Sequence, residues 1–315
     1  MVARNTRSRL LALVVIFTMA VSGCGGDGPD ARDQGLTIVA TTTILGDVVS
    51  NIVGDDGRVE VLVPVGADPH DFQASAAQVA AINEADLVVA NGLGLEEGLE
   101  DVLEAAADDG ARVFAVAPLL NPIPFGSAAD EHGEDHEHGS EDPHVWFDPT
   151  RMAEASRLIA TQLAEVDPSV DWQARGETYA AALDALDEEV ASTLASIPAG
   201  RRLLVTNHGS MGYFADRYDF DVVGTVIPAG STLADPSSEE LSQLIEVMQS
   251  TGMNAIFAET TQPSALAEAV AGELGEDVAV VSLYTGSLGE PGSGAETYID
   301  MLRTDAQRIA DALAD

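Results

Sequence analysis

The chain has no lysine and a single cysteine. All 14 of its basic residues are arginine, set against 53 Asp and Glu, which gives a formal net charge of −39 over 315 residues. Such a surface repels phosphate backbones and anionic lipid and draws cations in over a Debye length of roughly 10 Å. A nucleic-acid partner is excluded on that ground. General acidity is also a habit of some proteomes, and both causes contribute to the balance here. A lone Cys24 rules out an intramolecular disulfide and a cysteine-built zinc site. No HExxH occurs, so a metallohydrolase would lack its usual ligand pair and base. The 46% hydrophobic content and the length fit one or two globular domains with real cores.

Cys24 has a context of its own. Arg4, Arg7 and Arg9 make a basic start, Leu10 to Val21 is an apolar run, and Val21-Ser22-Gly23-Cys24 matches a lipoprotein processing box. The run is shorter than the ~20 residues of a membrane span. Residues 1–23 are therefore expected to be a signal peptide, and 24–35 a lipidated flexible tether. Cleavage before Cys24 removes three arginines and no acid, taking the charge from −39 to −42. The expected location is the outer face of a cell membrane, held by the lipid on Cys24.

Four of the six histidines fall between Glu131 and Pro149. His132, His136 and His138 sit among Gly, Glu, Asp and Ser with nothing apolar to bury. They suit an auxiliary metal-collecting loop or, as well, a plain solvated acidic loop. His144 differs. Pro143 stiffens the backbone before it, Val145-Trp146-Phe147 follow, and Asp148-Pro149 reads as a helix start with an Asp cap. Trp146 is expected to pack a cleft wall.

Along the rest of the chain, β-rich runs alternate with helical periodicity. Strands are expected at 36–40, 59–63, 86–90 and 113–116, with helices at 44–53, 76–83 and 92–107 between them. After the histidine tract come a helix at 149–165 and then one long helix. Its stripe is Trp172, Tyr179, Leu183, Leu186, Val190 and Leu194, entered through Asp167-Pro168 and stopped by Pro198. The second half repeats the alternation, with strands at 203–206, 222–227, 254–258 and 278–283 and helices at 211–218, 235–251, 264–274 and 298–313. The expected fold class is α/β, with two parallel-sheet lobes. These are an N-terminal lobe at 36–166 carrying a His-rich loop at 127–142, a linking helix at 167–197, and a C-terminal lobe at 198–315.

His70, His144 and His208 share one description. Each lies on a loop beside Pro or Gly, next to a regular element. In open α/β sheets, ligands gather beyond the carboxyl ends of strands. Two of these histidines come from the first half and one from the second, so one ion held by all three would sit between the lobes. Zinc takes three or four such donors. Three unrelated structural histidines are the alternative.

The stretches DPHDF at Asp68–Phe72, DPHVWFDP at Asp142–Pro149, NHGSMGYFADRYD at Asn207–Asp219 and LYTGSLGEPGSGAETYIDMLR at Leu283–Arg303 together resemble the metal-binding lipoproteins of zinc and manganese ABC importers. The resemblance covers the whole mature chain. It implies two lobes on a rigid backbone helix and one metal ion in the cleft, with His70, His144 and His208 as ligands. It also implies an importer permease and its ATPase as partners, a monomer, and no catalysis. In the family it resembles, manganese- and iron-binding members generally carry a carboxylate at the third position, so a histidine there favours Zn(II) as the cargo over Mn(II). Where many members have an Asp ligand, this chain has Gly286. The fourth position is then water, or Glu259 at the end of a second-lobe strand. A surface adhesin and a zinc hydrolase are the competing functions.

Overall fold

Among the described residues, eight short strands form two sheets with the same order and the same all-parallel sense. In the first sheet the order is β2-β1-β3-β4, from Gly57–Val61, Leu36–Ala40, Leu87–Ala90 and Val113–Ala115. In the second it is β6-β5-β7-β8, from Asp221–Thr225, Leu203–Thr206, Ala255–Glu259 and Ala279–Leu283. The computed structural model describes residues 35–125, 141–275 and 277–314. The leader, Cys24, all but the last residue of the tether, and His132, His136 and His138 lie outside them.

Side chains alternate across a strand, and here the alternation sorts the core into layers. Ile38 and Ala40 of β1, Leu87 and Val89 of β3, and Ala255 and Phe257 of β7 face one continuous inner core. Their neighbours Val39 and Val88 join a separate outer cluster with Ile82, Leu99 and Ala106, from the region of α2 (Ala76–Glu84) and α3 (Glu100–Asp108). Ile256 and Ala258 join a second outer cluster under α7 (Ser238–Thr251) and α8 (Ala265–Leu274). The inner core takes in α1 (Thr43–Val53), α4 (Pro149–Val166), α5 (Trp172–Leu194), α6 (Gly212–Tyr218) and α9 (Tyr298–Leu313). Each sheet thus has a private outer cover and a shared inner one.

The helix α5 carries the expected stripe, and all six of its residues are buried. It is shorter than expected: 23 residues, or about 34 Å at 1.5 Å per residue. Asp167 does not start it. Its side chain accepts from Ser169 N–H at 2.9 Å and its carbonyl accepts from the Trp172 indole at 2.7 Å, making a turn. Asp171 is the cap, accepting from Ala174 N–H. Gly176 lets α5 approach α4 closely, since a Cβ there would come within 2.5 Å of the Ala160 Cβ.

Two other helix starts also move. Residues 92–99 are not regular helix, because the buried Glu96 carboxylate collects the N–H groups of Asn91 and Gly92 and the Thr41 hydroxyl. Gly92, Leu93 and Gly94 all take positive φ to form that loop. Asp235-Pro236 does not open α7, which begins instead with a capping box on Ser237 and Glu240. By contrast, Asp148 caps α4 with Pro149 at its first position, as expected. No helix among the described residues is long and apolar enough to cross a membrane.

Candidate metal centre

Asp-Pro-His occurs twice, and each copy folds into the same frame. Proline fixes its own φ and has no N–H, so the aspartate side chain reaches the next donor along. Asp68 Oδ1 accepts from His70 N–H at 2.9 Å, and Asp142 Oδ1 accepts from His144 N–H at 2.9 Å. The first frame follows β2. The second leads through a 3-10 turn at Val145–Phe147 into α4. His208 sits in the turn after β5. There the Thr206 hydroxyl donates to the His208 carbonyl at 2.7 Å, and Gly209 N–H donates to the Ala229 carbonyl.

These three loops bring the three imidazoles together. Each histidine is at most 3% exposed, and one donor atom from each lies within 4.8 Å of the others. Ring centroids are 5.5, 5.5 and 5.0 Å apart. The Nε2 atoms of His144 and His208 face each other at 3.1 Å. Two nitrogens bound tetrahedrally to one zinc at its usual bond length stand about 3.3 Å apart, so this pair is set for a shared cation. Among the described residues no other group of His, Cys, Asp or Glu meets the same test.

Carboxylates hold two of the rings from behind. Asp142 Oδ1 meets His144 Nδ1 at 2.7 Å. Glu259 Oε1 is hydrogen-bonded to His208 Nδ1, while its Oε2 accepts from the Thr285 hydroxyl at 2.9 Å. Both bonds leave Nε2 free for a metal, the arrangement in which a second layer fixes tautomer and raises ligand basicity. Glu259 therefore reaches the site through the His208 ring and stands outside the group of three close donors. Gly286 borders the cavity and offers no side-chain donor. A Cβ added there would meet the Pro69 Cδ at 3.1 Å.

Burial pushes His144 well below the usual imidazole range, helped by His208 and His70 beside it, so it is neutral and ready to ligate at pH 7. His208 behaves oppositely. Burial opposes its charge, but the adjoining Glu259 carboxylate outweighs burial and raises it. Burial works against Glu259 too, yet His208 draws it down to about 2. Asp142 is pushed up to about 7 by burial, against the His144 N–H it accepts.

Trp146 forms a wall, as expected. Its ring lies edge-on to His144 at 5.2 Å, its indole N–H donates to the Thr285 carbonyl, and the Tyr298 hydroxyl donates to its own carbonyl. Phe125 flanks His144 at 6.4 Å. Beside it, Pro124 pairs with Glu141, so the chain leaves and re-enters next to the site. Sequence reasoning overlooked the aspartates of the two frames and Thr285. A signal for the aspartates existed in the repeated Asp-Pro-His itself. Thr285 had none, since it meets Glu259 only through the pairing of β7 with β8.

Residues 38–312 match the family model described as zinc-uptake complex component A, periplasmic. The chain is 30% identical over 306 residues to the manganese-binding lipoprotein MntA of Halalkalibacterium halodurans, covering 96% of this chain and 97% of that protein. It is 29% identical over 316 residues to the manganese ABC transporter substrate-binding lipoprotein PsaA of Streptococcus anginosus, covering 97% and 99%. The solved structure of the periplasmic zinc-binding protein TroA of Treponema pallidum superposes with a TM-score of 0.77 at 29% identity, covering 89% of this chain and 100% of that one. The chain belongs to the zinc-uptake complex component A family, the metal-binding, substrate-binding components of ABC importers, which bind and deliver and are not enzymes.

Proposed function

We propose that this protein captures Zn(II) outside the membrane and delivers it to an ABC importer permease driven by its ATPase. His70, His144 and His208 are the ligands, and Glu259 orients His208. One observation carries the choice of metal: the three closest donors are all imidazole nitrogen, two of them backed by carboxylates. Imidazole suits zinc, whereas manganese prefers oxygen ligands. Relatives named for manganese keep Mn(II) as the second reading. With Gly286 adding no side-chain donor, water completes the zinc shell. The lipid on Cys24 is the anchor, the protein works as a monomer, and His132, His136 and His138 gather zinc for the tight site.

Isothermal titration of the metal-free mature protein with Zn(II) and with Mn(II) tests this. One tight zinc site, weak manganese binding, and loss of the zinc site in the triple His→Ala variant of residues 70, 144 and 208 are expected. Tighter manganese than zinc binding, or a zinc site that survives the triple change, refutes it.

A further inference from the structure

The two Asp-Pro-His frames share a backbone turn but use their carboxylates differently. Asp142 meets the ring of its own histidine. Asp68 does not. Its Oδ1 takes the His70 N–H, and its Oδ2 accepts from the Thr232 hydroxyl and the Gln262 amide, 164 and 194 residues away. His70 is consequently the one ring of the three without a carboxylate in hydrogen-bond contact. Its Nδ1 is buried with no hydrogen-bond partner among the described residues, and Glu97 Oε1 stands 3.7 Å away.

The two second-half residues that hold Asp68 are not incidental. Thr232 follows β6 on the loop whose Ala229 carbonyl accepts from Gly209 N–H, next to His208. Gln262 stands three residues past Glu259, the carboxylate on the His208 ring. Asp68 itself is 5% exposed, and a buried carboxylate needs such partners. Through one side chain the His70 backbone is tied to both loops that support His208.

We propose that Asp68 is a positioning residue for metal retention, latching His70 to the second half through Thr232 and Gln262, so that the ion keeps its third imidazole only while that latch is closed. The proposal rests on the reading of the three histidines as the zinc site. The latch acts on the bound state, so it governs release more than capture. His70 is the ligand that leaves first when the halves part. His144 and His208, each with its own carboxylate, stay in place.

The test is release of Zn(II) from the loaded mature protein into excess chelator, followed by stopped flow, with Thr232→Val, Gln262→Met and the double variant. None of these touches the three histidines. A hydrogen bond to a charged group is strong enough for its loss to speed release on the order of 10-fold. The double variant should exceed either single one, while Thr232→Ser, which keeps the hydroxyl, releases like the parent. At saturation the Co(II) absorption of the double variant should match the parent, because all three imidazoles remain. Parent-like release from the double variant, or Thr232→Ser as fast as Thr232→Val, overturns the proposal. Should the double variant fail to fold by circular dichroism, the Thr232→Val and Thr232→Ser pair decides by the same criterion. A parent protein that takes up no Zn(II) overturns the zinc-site reading. A parent that binds, with variants that release no faster, overturns the latch alone.

Discussion

Glu259→Gln separates charge from shape at the metal centre. Glutamine keeps the volume and an oxygen for the His208 Nδ1–H, and the Thr285 hydroxyl can turn to accept from its amide. What disappears is the negative charge behind a buried imidazole. A hydrogen bond to a charged group contributes about 1.5–3 kcal/mol against about 1 for a neutral one, and loss of a carboxylate behind a ligating imidazole costs about 10–100-fold in metal affinity. Zinc affinity at about pH 8 should fall by that factor, about 1.4–2.7 kcal/mol. The pH profile should change as well. His208 is raised above its ordinary value of about 6.5 because Glu259 stabilises its charged form. At the proposed site zinc would have to displace that proton, so parent affinity should be full above the raised value and should fall as pH drops through it. Without the carboxylate His208 falls back, and proton competition begins at lower pH. Competition against a chromophoric zinc chelator from about pH 8 to 6 should show a weaker but flatter profile in the variant. Equal affinity at pH 8, or a loss with the parent's pH slope intact, would refute the account of Glu259 as an orienting group.

His144→Ala should weaken zinc binding at least ~100-fold by the same titration, since it removes one of the proposed zinc ligands and leaves the buried Asp142 Oδ1 with the backbone N–H alone. Replacing residues 127–140 by a short glycine linker should leave the tight site intact, because Pro124 and Glu141 already pair beside it. Only weak extra zinc sites should vanish, and loss of the tight site would contradict the auxiliary role given to His132, His136 and His138. Trp172→Ala should destabilise the metal-free protein by about 3–5 kcal/mol in urea unfolding, as Trp172 is fully buried in the shared inner core.

Local chemistry made much of this protein readable from its residues. The alternation of strand and helix, the parallel sheets and the stripe on α5 follow from periods of two and 3.6, which depend on near neighbours only. The Asp148 cap and the Asp-Pro-His frames are likewise settled within a few residues, so His70 and His144 stood out on their loops. Helix starts were the weak point. Glu96 and Asp171 decide where α3 and α5 begin, and Glu96 does so by bonding Thr41, 55 residues away. Asp167-Pro168 carried the same local signal as Asp148-Pro149 and made a turn instead, because the Trp172 indole claimed its carbonyl.

The sequence by itself determined which donors exist: six histidines, one cysteine, and a glycine at 286 where the resemblance leads one to expect a carboxylate. Tertiary structure alone decided which donors meet and what stands behind them. Only the packing of the two halves about a common core brings His208 within 3.1 Å of His144, seats Glu259 on its ring, and turns Asp68 from its own histidine toward Thr232 and Gln262. These contacts span 51 to 194 residues. A side chain's partner at that distance is set by the sum of all the packing between, which no local pattern encodes.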